Sequence, residues 1–118
     1  MHLEEALILV PDADSAAHFY LTKMGFETRH QNEWGLHVLQ KDGQILVLRS
    51  RKSMEKEFAG FMKPGEAVAL VFRSDGIEKD HQAIVGMGLT PSLLTGASGS
   101  RSFVFRDPTG LLCFVYCL

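Results

Sequence analysis

Val10-Pro11-Asp12 leads into a helical stretch that ends Lys23-Met24-Gly25-Phe26-Glu27-Thr28, and Phe72-Arg73-Ser74-Asp75 leads into a second that ends Gly86-Met87-Gly88-Leu89-Thr90. A turn and an apolar strand close each half: Asp42-Gly43-Gln44-Ile45-Leu46-Val47-Leu48 in the first, Asp107-Pro108-Thr109-Gly110-Leu111-Leu112-Cys113-Phe114-Val115 in the second. A repeat of this size is a whole supersecondary unit, so the chain is built from two copies of one pattern. The repeat also pairs residues across the halves, Gly43 with Gly110 among them.

Outward from these signals, Leu3 to Val10 reads as a strand. Asp12 or Ser15 can cap a helix running to about Met24, which Gly25 ends. Phe26 to Gln31 and Trp34 to Gln40 read as the second and third strands. Asp42-Gly43 is a strong hairpin signal for a two-residue type I′ turn, and Ile45 to Arg49 is the fourth strand. The second half repeats the order, with a strand at Ala67 to Phe72 and a helix at Ile77 to Val85. Strands at Leu89 to Leu94, Ser102 to Arg106 and Leu111 to Cys117 follow. Gly96-Ala97-Ser98-Gly99-Ser100 reads as a flexible connection, because it lacks the lysine and helix start of a phosphate loop.

Between the halves, Met54, Phe58, Phe61 and Met62 fall at i, i+4, i+7 and i+8, one face of a helix. Such a helix either covers the core, forms a dimer seam, or acts as an aromatic lid (Phe58, Phe61, Met62) over a pocket.

The chain has 118 residues, 46% apolar and 22% charged, which is ordinary for one globular domain. A net charge of −2 carries no basic footprint for nucleic acid. No apolar run approaches the ~18 residues of a membrane helix, and Met1-His2-Leu3-Glu4-Glu5 is no signal peptide. A cytoplasmic protein with no nucleic-acid or membrane partner is expected. Cys113 and Cys117, four apart on a strand, share a face and are too distant for an easy disulfide; they read as core residues. His18, His30 and His81 have no acid or nucleophile at motif spacing, and His37 reads as structural.

Two tandem βαβββ units in one short chain resemble the vicinal oxygen chelate superfamily, the glyoxalase, bleomycin-resistance and extradiol-dioxygenase family. The residues that carry the resemblance are Val10-Pro11-Asp12-Ala13-Asp14-Ser15-Ala16-Ala17-His18-Phe19-Tyr20, Met24-Gly25-Phe26-Glu27 and Phe105-Arg106-Asp107-Pro108-Thr109-Gly110. The resemblance covers nearly the whole chain. It implies an α+β fold in which two modules form a curved mixed sheet around a cavity, with helices on the outside. The expected organisation is a single domain over 1–118: module 1 at about 1–50, a linker helix at about 51–65 and module 2 at about 66–118.

Metal-using members of that family place one ligand on each of four strands. Here the corresponding positions are Glu5, Val47, Ala67 and Phe114. Three of the four have no lone pair to give, and one carboxylate does not hold a divalent cation that wants four to six donors. The resemblance therefore points to the metal-free branch, with no cofactor, whose antibiotic-sequestering members bind ligands in the same cavity.

Strand parity then lists the lining. Glu5, Leu7 and Leu9 share a face, as do Ile45, Val47 and Arg49, then Trp34, Leu36 and Val38, then Leu112, Phe114 and Tyr116. The expected ligand-binding set is Glu5, Leu7, Trp34, Leu36, Arg49, Phe114 and Tyr116. It is an apolar, aromatic cup with a few polar groups, suited to a small, partly aromatic molecule. Two further readings stay open: a glyoxalase-like lyase or isomerase with Glu5 as general base, and a structural module whose cup is filled by its own side chains. A homodimer is expected from the open sheet edges and the apolar stripe of the linker.

Overall fold

A computed structural model describes residues 1–96 and 100–117, and of Glu5 the backbone alone. The Gly96–Ser100 connection read from sequence therefore lies largely outside the described residues. In chain order the elements are β1 (His2–Val10), α1 (Ala13–Thr22), β2 (Glu27–Gln31), β3 (His37–Lys41), β4 (Gln44–Ser50) and α2 (Arg51–Glu57). They continue with β5 (Val68–Ser74), α3 (Ile77–Gly86), β6 (Ser102–Arg106) and β7 (Leu112–Cys117).

The seven strands form one curled mixed sheet in the order β2-β3-β4-β1-β5-β7-β6. The two modules meet where β1 runs antiparallel to β5. On its other side each first strand pairs in parallel with the last strand of its own module, β1 with β4 and β5 with β7.

Local chemistry explains the punctuation. Asp12 caps α1, its carboxylate accepting from the Ser15 N–H at 3.1 Å and the Ser15 hydroxyl at 2.8 Å. Asp42 and Gly43 have φ of 50° and 80°, the two positive values a type I′ turn needs. That turn sets Lys41 opposite Gln44 and Val38 opposite Val47, as the sequence predicts. In the second module Asp107 Oδ1 accepts from the N–H groups of Thr109 and Leu111, both at 2.9 Å, and so shapes the corresponding corner.

Four sequence expectations change. Leu89 to Leu94 is not a regular strand. Pro91 brings no N–H, and although Ser92 N–H donates to the Val104 carbonyl, Val104 N–H donates to the Ser92 hydroxyl instead of a backbone oxygen. The third strand starts at His37 rather than Trp34, because Asn32 Oδ1 accepts from the Trp34 and Leu36 N–H groups and holds that stretch in a turn. The linker helix stops at Glu57 rather than near residue 65, with Gly60 at φ 88° in the turn that follows. Finally, β1 is bulged: its register against β5 shifts between Leu3 and Ala6.

The sheet buries both faces. On the outer face α1 packs Ala17 against Leu39 and Leu48, and α3 packs Ile77 and Ile84 against Phe103, Phe105, Cys113 and Val115. On the cup face lie Leu7, Leu9, Leu36, Val38, Val47, Ala69, Val71, Leu112, Phe114 and Tyr116. Cup and outer residues alternate along β7 as strand parity requires. The remaining helix, α2, lies on the cup face, with Met54 and Phe58 in that same cluster and Phe61 and Met62 packed against it. Burying each such side chain contributes roughly 1.5–3 kcal/mol, and a seven-residue helix is held by packing of this kind rather than by propensity. The apolar stripe read from sequence is thus used inside the chain. Both cysteines are free, and burial pushes the Cys113 thiol up to about 11.

Candidate functional site

Five of the seven expected lining residues share the cup face. Leu7, Leu36, Arg49, Phe114 and Tyr116 sit on the cup face, each 1% exposed or less. Trp34 stands in the turn before β3, half-buried, with its indole N–H shielded from solvent. The side chain of Glu5 lies outside the described residues. The space these residues surround is filled by α2, whose Phe58 meets Phe114 edge-on at 6.1 Å.

Of the four positions that correspond to the family's metal ligands, Val47, Ala67 and Phe114 are apolar. Val47 and Phe114 are fully buried in the cup. Ala67 precedes β5 and is exposed, while the cup residues of that strand are Ala69, opposite Leu7, and Val71, opposite Phe114. None of these side chains has a donor atom. Among the described residues no group of three or more His, Cys, Asp or Glu could hold a metal ion. The residue set does not fit a divalent cation.

The bulge in β1 has a chemical result that parity missed. An extra residue between Leu3 and Ala6 brings Glu4 to the side of Tyr116. Glu4 Oε1 accepts from the Tyr116 hydroxyl at 2.9 Å and from Arg29 Nη1 at 3.2 Å, with Arg73 Nε at 3.8 Å. The Tyr116 ring stacks between His30 and Phe114, both at 6.1 Å. Burial, then the Glu4 carboxylate, raises the Tyr116 phenol well above its ordinary value; burial, then Arg29, lowers the His30 imidazole. This cluster bridges the modules, since Glu4 and Arg29 belong to the first and Arg73 and Tyr116 to the second. A bulge leaves no mark in a hydrophobic pattern, so the acidic pair Glu4-Glu5 was the only signal available.

At the centre of the cup is a second polar group. Arg49 donates from Nε to the Ser53 hydroxyl at 3.0 Å and from Nη2 to the Ser53 carbonyl at 3.3 Å, and Nη2 lies 2.5 Å from Glu57 Oε1. That last contact is a close ion pair rather than an aligned hydrogen bond, because the N–H does not point at the oxygen. Glu57 Oε2 accepts from the hydroxyls of Thr95 and Ser102. The Ser53 hydroxyl donates to the Trp34 carbonyl. Arg49 and Glu57 side chains are 0% and 1% exposed. Burial lowers the Arg49 guanidinium from its ordinary value, and Glu57 opposes that shift.

Removing one member of such a pair leaves a bare buried charge and costs about 3–5 kcal/mol. Among the described residues three buried donors lack an aligned acceptor: Arg49 Nη1, Trp34 Nε1 and, in the Glu4 cluster, Arg73 Nε. Glu57 escaped the sequence reading although it lies three residues after Met54, on the same helix face. A carboxylate on an inward-facing apolar stripe is the signal that would have found it.

Two further histidines are tied into the fold. His37 is held by Asp14 at 2.7 Å and Gln31 at 3.1 Å, and His81 by the Ser92 carbonyl at 2.8 Å. The segment after α2 is clamped by Arg106, which reaches Glu66 at 2.7 and 2.8 Å and also the Phe61 carbonyl. An open groove of about 400 Å³ on the outer face, lined by Ile8, Tyr20, Met24, Phe26 and Leu46 among others, has no carboxylate or cation in its lining.

Several solved structures share this architecture. One described as an NAD-dependent benzaldehyde dehydrogenase from Legionella pneumophila is 16% identical, with 96% of each chain covered and a TM-score of 0.66. A single-residue variant of the methylmalonyl-CoA epimerase from Streptomyces coelicolor, in complex with 2-nitronate-propionyl-CoA, is 23% identical, covering 99% of this chain and 96% of that one, with a TM-score of 0.64. The methylmalonyl-CoA epimerase from Mycobacterium tuberculosis is 18% identical, covering 98% and 87%, with a TM-score of 0.61. At these identities the likeness is one of fold. No curated protein matches the chain in sequence. The model of the Glyoxalase/Bleomycin resistance protein/Dioxygenase superfamily matches residues 2–113, nearly the length over which the two modules, their seam and the cup have been described, and the chain belongs to that superfamily.

Proposed function

We propose that the protein binds a small, partly aromatic molecule in the cup between its modules, without a metal, in the manner of the antibiotic-sequestering members of the superfamily. One observation carries this reading. Among the described residues Arg49 Nη1 is a buried donor with no acceptor beside the Phe58 and Phe114 rings of an apolar cup, and Trp34 Nε1, in the turn before β3, is another. Buried donors without partners are costly, and a ligand oxygen would satisfy them. Leu7, Leu36, Phe114 and Tyr116 supply apolar area, and α2 with Phe58, Phe61 and Met62 is the lid that must move to admit the ligand.

The test is titration with a panel of planar aromatic compounds, read by the fluorescence of Trp34, the sole tryptophan. Saturable changes with at least one compound are expected. A panel that leaves the signal and the melting temperature untouched would move the structural-module reading to first place.

An isomerase or lyase working through a carboxylate of β1 is the second reading, motivated by the epimerases that share the fold. Glu4 is a poor base here because Arg29 and Tyr116 occupy its oxygen, so the role would fall to Glu5. Exchange of substrate α-protons with deuterated solvent, abolished by Glu5→Gln, tests it. We also infer a cytoplasmic homodimer. The outer edge of β2, the end of the sheet, offers unpaired backbone, and sedimentation at micromolar concentration should show twice the chain mass. Among the described residues no helix is long and apolar enough to cross a membrane.

A further inference from the structure

The closed cup holds a clue to its ligand in its own chain. Glu57 and Phe58 are consecutive residues at the end of α2. Glu57 places a carboxylate 2.5 Å from Arg49 Nη2, and the Ser102 hydroxyl donates to its other oxygen at 3.2 Å. Phe58 places a benzene ring edge-on to Phe114, at 74° between planes. The Arg49 guanidinium carbon stands 5.6 Å from the centre of the Phe58 ring and 5.8 Å from that of Phe114. A carboxylate and an aromatic ring are thus held by one cation and one aromatic partner.

We propose that Glu57 and Phe58 act as an internal surrogate, occupying the site of a small aromatic carboxylate that replaces them at Arg49 and Phe114 when α2 moves out. The proposal rests on the small-molecule reading of the cup and names the ligand's class.

Three observations support it. Arg49 is fully buried, so whatever displaces Glu57 must bring its own negative charge; a neutral compound would leave the guanidinium bare. The surrogate is incomplete, because Arg49 Nη1 still finds no acceptor among the described residues. A free carboxylate, not tied to a helix, has the lone pairs to reach such donors, and arginine's planar fork suits bidentate pairing with it. The surrogate also sits on a short element, a helix of seven residues that has little stability apart from its contacts with the cup.

Calorimetric titration with benzoate, phenylacetate and indole-3-acetate, each beside its neutral amide, tests the proposal on the wild-type chain, Glu57→Gln and the double variant Arg49→Met/Glu57→Leu. The acids should bind the wild-type chain and the amides should not. Glu57→Gln should bind the acids about tenfold tighter, because the competing internal anion is gone and the binding-competent state is more populated. The double variant, folded by circular dichroism, should lose the preference for acids.

Amides that bind as tightly as acids, or a Glu57→Gln variant with no gain in affinity for the acids, would overturn the surrogate while leaving a binding cup. Failure of every compound, charged or neutral, with every variant would remove the small-molecule reading as well. If Glu57→Gln does not fold, hydrogen exchange on the wild-type chain decides: an acid should raise exchange at the amides of Met54 to Phe58, and unchanged exchange in the acid-bound protein would refute displacement of α2.

Discussion

The two modules repeat one pattern but finish it differently. In the first, β2 pairs with β3 and gives the sheet a regular outer strand. In the second, the equivalent segment from Leu89 to Leu94 is irregular and runs along β6 through Ser92 and the Thr95–Ser102 bridge. Their contributions to the cup also differ. The first module supplies the cation, Arg49, and the second supplies hydroxyls, Thr95 and Ser102; both bind Glu57 of the helix between them. A tandem repeat can keep its turns and inward apolar faces alike while dividing unlike polar roles between the copies. The centre of the cup belongs to neither module alone.

The sharpest way to break that shared centre is Glu57→Leu. Arg49 would keep its charge in a dry site, and the variant should lose about 3–5 kcal/mol in urea unfolding. Adding Arg49→Met should restore most of the loss, because an apolar pair of similar volume needs no partner. A single variant as stable as wild type would mean that the modules do not meet at this pair. The unequal outer strands predict the next effect. Ser92→Ala strips Val104 N–H of its acceptor and should cost about 1–3 kcal/mol, whereas Thr28→Ala on the regular strand β2, an exposed site, should stay within about 0.5 kcal/mol.

A third variant probes the seam. Tyr116→Phe removes a hydrogen bond from the second module to Glu4 of the first and should cost about 1.5 kcal/mol in urea unfolding.

The smallest effect is one of pH. Hydrogen bonds from Arg106 hold the Glu66 carboxyl below the ordinary 4.5. The folded value lies below the unfolded one, so the stabilisation is complete above about pH 4.5 and fades as pH falls through the lower folded value. Melting temperatures of the wild-type chain and Glu66→Gln should differ by a constant amount from pH 8 to 5 and converge in stronger acid. The pair is partly solvated, and its contribution is about 1 kcal/mol.

Much of this architecture is legible in the sequence because it is written in local chemistry. Asp12 must cap, Asp42-Gly43 must turn with positive φ, and alternation along Leu112 to Cys117 must send Phe114 one way and Cys113 the other. What escapes the sequence is whatever depends on a shift of one residue or on distance along the chain. The bulge in β1 brings Glu4 to the Tyr116 hydroxyl without altering the apolar pattern around it. The second module's outer segment has the composition of a strand, and only the pairing of Ser92 with Val104 shows that a hydroxyl replaces a carbonyl there. The Arg49–Glu57 pair joins a strand end to a helix end, and no single periodicity runs through both. The lining of the cup could be read one strand at a time, but its occupant could not, because α2 looks like any linker helix until the sheet it covers is assembled.

The position of α2 in the chain also bears on how the protein is made. Ser50 ends β4 and Arg51 begins α2, with no loop between them. During synthesis the first module can close its own four strands, β2-β3-β4-β1, before β5 has emerged from the ribosome. At that stage Leu7, Leu36, Val38 and Val47 form a bare apolar face, the kind of surface through which partly made domains aggregate. The next residues to emerge carry Met54 and Phe58, the two side chains that cover it. The helix that closes the finished cup is placed to shield the half-built one.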